Sequence, residues 1–325
     1  MNHSGITRLC HSRAALLPAL TVFLAAAWVA YGHGVWLDIS GDKGFVFPSP
    51  NEWLDSRVSE LLSSLTLNII IMGGMVMLCR AYNLLRSATL LYVPLYCFMT
   101  LGTPQLMVQL YSGPILCLTV LGCMGLLMHC YRRPGDVRNV FAVFFLLSAG
   151  ATVQYAFMVY IPVFILGCLQ MRILTARACV AMALGVITPW WLAFGLGVAT
   201  PAGVHLPEIT TIFGVIDFTD MVQLLTITAF TVLMTVVALV GTFFKVLAYN
   251  AHSRANNGLL SVVTIVTMLA ICVDYTNFIS YLQVLNVCAA LIMARFMSIH
   301  NTEKSYITVW TIMTVYAAFY IWVLL

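Results

Sequence analysis

The sequence predicts an all-α fold, a polytopic bundle of about eleven transmembrane helices. Hydrophobic residues make up 62% of the chain and charged residues only 8%, whereas soluble domains carry about 25% charged residues. Apolar runs recur at close to the roughly 17–25 residues that a helix needs to cross a hydrocarbon core about 30 Å thick. The ends of these runs alternate between basic and acidic. Composition therefore excludes a water-soluble fold, and the charge pattern predicts the orientation.

The alternation of charge is nearly complete along the chain. Nine of the eleven Asp and Glu residues fall at one set of helix ends, with only Lys43 and Arg57 as basic neighbours: Asp38, Asp42, Glu52, Asp55, Glu60, Glu208, Asp217, Asp220 and Asp274. The other ends hold thirteen of the fifteen Lys and Arg residues: Arg8, Arg13, Arg80, Arg86, Arg132, Arg133, Arg138, Arg172, Arg177, Lys245, Arg254, Arg295 and Lys304. Because basic loops resist translocation, this bias predicts a cytoplasmic N-terminus and an outside C-terminus.

The first four spans follow from the apolar runs and the basic turn among them. Residues 14–31 form the first run, which is longer than the h-region of about 7–15 residues in a secretory signal peptide. We therefore expect an uncleaved span. The second and third runs, residues 61–79 and 87–101, flank a basic turn that must lie inside. The fourth run covers residues 112–129.

An apolar stretch from residue 140 to residue 174 is too long for one ordinary span. A single helix would place Arg172 and Arg177 on the outer side, against the charge bias. Two short spans that turn near residues 150–155 keep both arginines inside. Charge parity, meaning the alternation of basic and acidic ends along successive helices, therefore favours a hairpin of two short helices.

Five more spans complete the predicted bundle. Pro189 interrupts the seventh, where a kink is tolerated if neighbouring helices satisfy the freed carbonyl. The ninth and tenth form another tight hairpin that turns between Asp274 and Asn277. The five runs cover residues 179–198, 221–244, 259–273, 278–294 and 305–325.

We expect residues 1–325 to form a single transmembrane domain, because no loop is long enough to fold as a soluble domain. Two outer loops, about residues 32–60 and 199–220, are long enough for short interfacial helices. In the first, Ser49 to Glu52 is typical of a capping box with proline at the first helical position, and predicts a helix that continues into the second span. In the second, Pro207-Glu208 precedes an apolar-rich segment that predicts an interfacial helix.

The cysteine positions argue against disulfides and metal centres. All ten cysteines lie inside spans or near predicted cytoplasmic ends, away from the outer loops where oxidising chemistry operates. No CxxC pair occurs, so the spacing typical of a metal site is missing as well. We expect small apolar fillers, no metal, no cofactor and no nucleic-acid partner.

The outer acidic residues are the one concentration of reactive groups, and Asp38 and Asp42 are the candidate catalytic residues. Both follow the first span directly, where a carboxylate can act as a general base on a headgroup at the bilayer edge. Candidate substrate-binding residues lie in the same two loops: His33, Glu52, Asp55, His205 and Glu208. The alternative is that all seven are solvated residues, kept outside because the basic residues are inside.

The predicted spans contain uncharged polar residues, where ion-coupled carriers would have ionisable ones: Asn68, Gln154, Gln223, Gln283 and Asn286. Ion-coupled carriers usually bury Asp, Glu, Lys or Arg near the midplane, so coupled transport is disfavoured. Hydrogen bonds between helices are the expected role of these residues. Close backbone packing is the expected role of a series of glycines: Gly73, Gly74, Gly185, Gly195 and Gly197.

Short motifs between residues 80 and 196 form a series: Arg80-Ala81-Tyr82-Asn83 with Arg86, Thr103-Pro104, Arg138-Asn139-Val140-Phe141, Tyr155 with Pro162, and Pro189-Trp190. In these motifs the chain resembles an uncharacterised family of multi-pass inner-membrane proteins from Bacteroidetes-type bacteria, whose activity is unknown. The resemblance implies a bacterial inner-membrane location and supplies no catalytic residues.

The layout also resembles that of polytopic glycosyltransferases that use polyprenyl-phosphate sugars. The likeness rests on a cytoplasmic N-terminus, many spans, and an outer acidic residue followed by a surface helix. It implies Asp38 or Asp42 as the base, beside the helix that begins at Ser49, and a lipid-linked substrate. The chain departs from that family in its small size, its lack of a soluble domain and its scarcity of outer cations.

Three function classes stay open for this multi-pass membrane protein. The first expectation is an accessory or assembly subunit, with the lipid bilayer and other membrane proteins as its partners. The alternative is a glycosyltransferase-like protein acting on a lipid-linked substrate at the outer face. The third is a carrier or flippase for a neutral or lipid substrate. A polar outer cavity would favour the enzyme, a hydrophilic path the carrier, and a fully packed bundle the accessory subunit.

Overall fold

A computed structural model describes residues 16–37, 46–84, 90–198, 216–246, 250–299 and 303–325, without the side chains of 244–246 and 303–306. Over these residues the protein is helical and contains no strand. The helices are α1 (Leu16–His33), α2 (Arg57–Tyr82), α3 (Tyr92–Leu101), α4 (Pro104–Val108), α5 (Ser112–His129), α6 (Val137–Val153), α7 (Tyr160–Gln170), α8 (Ala176–Gly195), α9 (Phe218–Val246), α10 (Ala251–Val273), α11 (Phe278–Ile299) and α12 (Glu303–Leu324).

Eight of these helices are long and apolar enough to cross a membrane, judged by length and composition: α1, α2, α5, α8, α9, α10, α11 and α12. Three shorter apolar segments, Tyr92–Leu101, Val137–Val153 and Tyr155–Gln170, fall where the sequence predicts the third, fifth and sixth spans. The helical membrane bundle is therefore confirmed. The count of eleven spans and the orientation of the termini stay predictions.

The stretch of residues 140–174 is two helices, as charge parity predicts. α6 ends before Gln154, whose backbone is extended with φ −146° and ψ 133°. Gly150 permits the turn, because a Cβ there would overlap the Phe157 ring that folds back onto α6. Beyond α7, the Arg132 amide donates to the Met171 carbonyl over 3.2 Å. The chain thus returns to the end of the bundle from which α6 starts.

Contacts between distant segments define an acidic end of the bundle. The amides of Val46 and Phe47 donate to the Thr152 carbonyl over 2.9 and 3.1 Å, so the first outer loop lies against the end of α6. Gln154 Nε2 donates to Asn277 Oδ1 over 2.9 Å, which joins the turns of the two hairpins. The carboxylates described at this end are Glu52, Asp55, Glu60, Asp217, Asp220 and Asp274.

The opposite, basic end is formed by the ends of α2, α5 and α7 and the starts of α6, α8 and α10. There the rings of Tyr131 and His252 pack with their centroids 4.7 Å apart. Exposed arginines surround this contact: Arg80, Arg132, Arg133, Arg138, Arg172, Arg177 and Arg254. The tertiary contacts therefore group the helix ends in the same two sets as the charges do.

The centre of the bundle is α11, in which nearly every residue is buried. It packs against α3, α5, α9 and α10. Glycines permit some close approaches nearby: a Cβ at Gly185 would lie 2.8 Å from the Phe141 carbonyl oxygen, so only glycine lets α8 approach α6 so closely. Gly73 and Gly197 differ, since a Cβ at either would meet no described atom within 4 Å. Their predicted role in backbone packing is therefore wrong.

The helix predicted to run from Ser49 into the second span is broken. Pro50–Glu52 forms a single 3-10 turn, and α2 begins only at Arg57. The Trp53 indole Nε1 donates to the Pro48 carbonyl over 2.9 Å, across this single turn. The interfacial helix predicted in the second outer loop lies outside the described residues.

Candidate functional site

The predicted site residues fall into two groups. Four lie outside the described residues: Asp38, Asp42, His205 and Glu208. The other three lie at the acidic end, where His33 ends α1, Glu52 ends the 3-10 turn and Asp55 stands just before α2. All three side chains are exposed, as solvated residues are.

Described residues that flank the two predicted outer loops lie in the same part of the bundle. Leu37, the last described residue before Asp38, and Ile216, the first described residue after the second loop, belong to one cluster of buried apolar side chains. Close by in the chain, Gln105 Nε2 donates to Asp220 Oδ1 over 2.7 Å, which fixes the start of α9 to α4. The two described residues Leu37 and Ile216 therefore belong to the same part of the bundle.

Asp274 is a carboxylate surrounded by hydrogen-bond donors from both hairpins. Its Oδ1 accepts from Tyr155 Oη at 2.9 Å and from Thr276 Oγ1 at 2.7 Å. Its Oδ2 accepts from Tyr281 Oη at 2.8 Å and from Asn277 Nδ2 at 3.1 Å. An ionised carboxylate has about four acceptor positions, and these bonds use them. The sequence identifies Asp274 as a turn residue, but not its bond to Tyr155, which lies 119 positions away.

Four buried polar side chains form a closed network near the axis of the bundle. Tyr96 Oη and Gln283 Nε2 both donate to Asn68 Oδ1, over 2.6 and 2.9 Å. Tyr111 Oη donates to Gln283 Oε1 over 3.1 Å. Asn68 Nδ2 donates to the Ser64 carbonyl of its own helix over 2.9 Å. Hydrogen bonding between helices, the role predicted for Asn68 and Gln283, is confirmed.

The described cysteines and acids give no metal centre. Within the ranges that the structure covers, no three His, Cys, Asp or Glu side chains converge on one point. The nine described cysteines are free thiols, and seven are buried as small apolar fillers. Cys179 and Cys272 are exposed on the outside of the bundle, so the prediction of fillers is wrong for these two.

A groove opens between α2 and α5 on the outer surface of the bundle, toward the basic end. Its volume is about 860 Å³, and its walls are mostly apolar. Polar side chains lie only at one end, where Tyr82, His129 and Asn139 line it. Tyr82 Oη donates to the Gly125 carbonyl over 2.8 Å, which closes this end across the two helices. No local sequence pattern reveals the groove, because it exists only once α2 and α5 are paired.

The rim of the groove at the basic end is an ordered polar surface. Arg133 Nη1 donates to His129 Nε2 over 3.2 Å. Asn139 Nδ2 donates to Asp136 Oδ2 over 2.8 Å, and the Cys130 thiol lies 3.7 Å from the same oxygen. Burial, and then the charge of Asp136, raise the pKa of the Cys130 thiol to about 11, so the thiol stays protonated at neutral pH. The rim thus carries one guanidinium, of Arg133, and one carboxylate, of Asp136, and the exposed arginines Arg80, Arg132 and Arg138 lie at the same end of the bundle.

Comparison with known proteins finds no family model, no curated protein and no solved structure that matches the chain. The resemblances drawn from the short motifs and from the layout therefore stay predictions, and the function is argued from geometry.

Proposed function

We propose that the protein is an accessory or assembly subunit of a membrane complex. The closed packing of its axis is the observation that supports this. Asn68, Tyr96 and Gln283 direct their polar atoms to one another around the buried helix α11. A carrier needs polar groups that line a path, and an enzyme needs them directed at a substrate. A bundle fixed in this way is suited to present stable helix faces to partners within the membrane.

The exposed face of α8 is the surface that we assign to such a partner. Val180, Leu184, Ile187 and Trp191 are 59%, 54%, 58% and 64% exposed. They are spaced four, three and four residues apart, which is the spacing of a packed helix–helix seam. A partner transmembrane helix would bury this seam.

The bacterial inner membrane is the location that we propose. In that membrane, loops rich in Lys and Arg stay on the cytoplasmic side. The separation of exposed arginines from carboxylates at the two ends of the bundle supports this assignment.

Isolation of the complex tests the accessory role. The tagged chain, extracted from its native membrane in a mild detergent, should elute with a second polypeptide in fixed stoichiometry. A photo-crosslinking residue in place of Ile187 should capture that same polypeptide. The matched control is Val240, which is 61% exposed on α9. Elution of the chain alone, together with crosslinking at neither position, would contradict the proposal.

A second candidate, the glycosyltransferase-like enzyme, is favoured by the presence of Leu37 and Ile216 in one buried cluster. Leu37 directly precedes Asp38 in the chain, and Ile216 follows the predicted loop that contains Glu208. A general base contributes about 10²–10⁴-fold in rate. The Asp38→Asn, Asp42→Asn double variant should therefore abolish function if the enzyme hypothesis holds. Full complementation of a loss-of-function strain by this variant would remove it and leave the accessory role.

A further inference from the structure

The groove between α2 and α5 owes its depth to glycines that the chain itself does not need for packing. Gly73 on α2 and Gly122 on α5 face open space, since a Cβ on either would meet no described atom within 4 Å. Glycine weakens a helix relative to alanine because it loses more conformational freedom on folding. No close contact within the described residues compensates for that loss. The space above these two residues is therefore free for a molecule outside the chain.

The groove is open to the lipid phase along its length. Ile70 and Met77, on its α2 side, are 51% and 75% exposed. From Ile70 to Tyr82 the lining of α2 spans twelve residues, which is about 18 Å at a rise of 1.5 Å per residue. One leaflet contributes about half of a hydrocarbon core about 30 Å thick. The groove is therefore as long as one leaflet is deep.

This length decides between two kinds of occupant. A transmembrane helix of a partner crosses both leaflets and needs a seam along the whole bundle. The groove stops at the level of Ile70 on α2 and Leu118 on α5, at its end farther from the arginines. The acyl chains of a single lipid, which occupy one leaflet, match it better.

The excess of arginines at this end of the bundle selects the headgroup. His129 and Asn139 line the groove there, and Arg133 contacts His129. Further exposed arginines lie at the same end of the bundle: Arg80, Arg132 and Arg138. Asp136 contributes a negative charge at the same end, and its carboxylate accepts a hydrogen bond from Asn139. The guanidinium group presents several N–H donors in a fork that matches phosphate oxygens.

We propose that this groove binds one anionic phospholipid from the leaflet at the basic end. The acyl chains lie over Gly73 and Gly122, and the headgroup phosphate contacts His129 and Arg133. Basic pockets between transmembrane helices bind anionic headgroups through such contacts. The volume of about 860 Å³ lies within the range of about 300–1,000 Å³ of ligand pockets. The site is separate from the α8 surface and from the outer acidic residues.

Native mass spectrometry of the purified full chain tests the proposal, with phosphatidylglycerol and phosphatidylcholine as the added probes. Phosphatidylglycerol should bind with a stoichiometry of one in preference to phosphatidylcholine. The His129→Gln, Arg133→Gln double variant should weaken this binding roughly tenfold, because it removes the guanidinium charge and the imidazole from the rim. Its matched control is Arg177→Gln, an exposed arginine at the same end that does not line the groove. The control should bind phosphatidylglycerol as the unaltered chain does.

A second pair of variants tests the acyl-chain part of the groove. Gly122→Leu fills open space and should weaken binding of phosphatidylglycerol, whereas Ala183→Leu places the same side chain on an exposed face of α8 and should not. Gly122→Ala provides a smaller change if the leucine variant fails to fold. Equal binding of both lipids, or unchanged binding in the His129→Gln, Arg133→Gln variant, overturns the proposal. A photo-crosslinking residue at Met77 that captures a polypeptide in place of lipid also overturns it.

Discussion

The Tyr155 hydroxyl, between α6 and α7, lies 2.9 Å from Asp274 Oδ1, between α10 and α11. This bond joins the turns of the two helix hairpins. Both turns interrupt apolar stretches, and α7 has only 11 residues, fewer than the roughly 17 that a span needs. Short helices depend on their neighbours for position. The bond therefore has a structural role at the acidic end of the bundle.

Replacement of Tyr155 by Phe should destabilise the bundle. The change removes a hydrogen bond to a carboxylate and leaves the ring in place, so we expect a loss of about 1–2 kcal/mol in the free energy of unfolding. Equilibrium unfolding in mixed micelles measures it. Tyr131→Phe is the control, because its ring packs on His252 and its hydroxyl makes no hydrogen bond to the part of the chain that the structure describes. Equal effects of the two variants would show that the Asp274 bond contributes nothing.

The axial network should show energetic coupling between Tyr96 and Gln283. Tyr96→Phe and Gln283→Leu each remove a bond to Asn68, and Gln283 also contacts Tyr96 directly at 2.5 Å. Hydrogen bonds between transmembrane helices contribute about 0.6 kcal/mol on average and about 1.7 kcal/mol at most. A double-mutant cycle should therefore give a coupling energy of about 1 kcal/mol.

Gln223→Leu is the reference for the network variants. Gln223 is buried at the side of the bundle and donates to the Trp322 carbonyl over a long 3.4 Å. It should show no coupling to Tyr96, because the two residues share no partner in these contacts. Additive effects of Tyr96→Phe and Gln283→Leu would mean that the network is not cooperative.

An added methyl group should change the stability of the bundle in opposite directions at Gly150 and at Gly73. A Cβ at Gly150 overlaps the Phe157 ring, so Gly150→Ala should destabilise the hairpin by about 1–3 kcal/mol. A Cβ at Gly73 meets open space, so Gly73→Ala should be neutral or stabilising by up to about 1 kcal/mol. Thermal unfolding in detergent compares them. A loss of stability in Gly73→Ala larger than in Gly150→Ala would contradict the packing described here.

The orientation can be measured with single cysteines in a cysteine-free variant. Cysteines in place of Asp42 and Glu208 should react with a membrane-impermeant thiol reagent in intact cells. Cysteines in place of Pro134 and Arg254 should not react, because both positions lie on the basic side. Labelling at residue 134 without labelling at residue 42 would reverse the predicted topology.

The sequence by itself determined the membrane class, the positions of the apolar helices and the grouping of their ends. These features follow from composition, from run length and from charge, which are properties of the chain that need no partner segment. Charge parity also identified the hairpin between residues 140 and 174, although an apolar run of that length is ambiguous on hydropathy alone. The two sets of helix ends reappear in contacts such as that between Arg132 and Met171.

Only the tertiary structure decided which polar groups meet and where space is left. Tyr155 and Asp274 are 119 positions apart, and Asn68 and Gln283 are 215 positions apart, so no local pattern pairs them. Gly73 and Gly185 both lie within apolar helical segments. Gly73 nevertheless faces open space, whereas Gly185 lies against Phe141. The physical reason is that a helix has several faces, and packing of the whole bundle determines which face meets protein and which meets lipid.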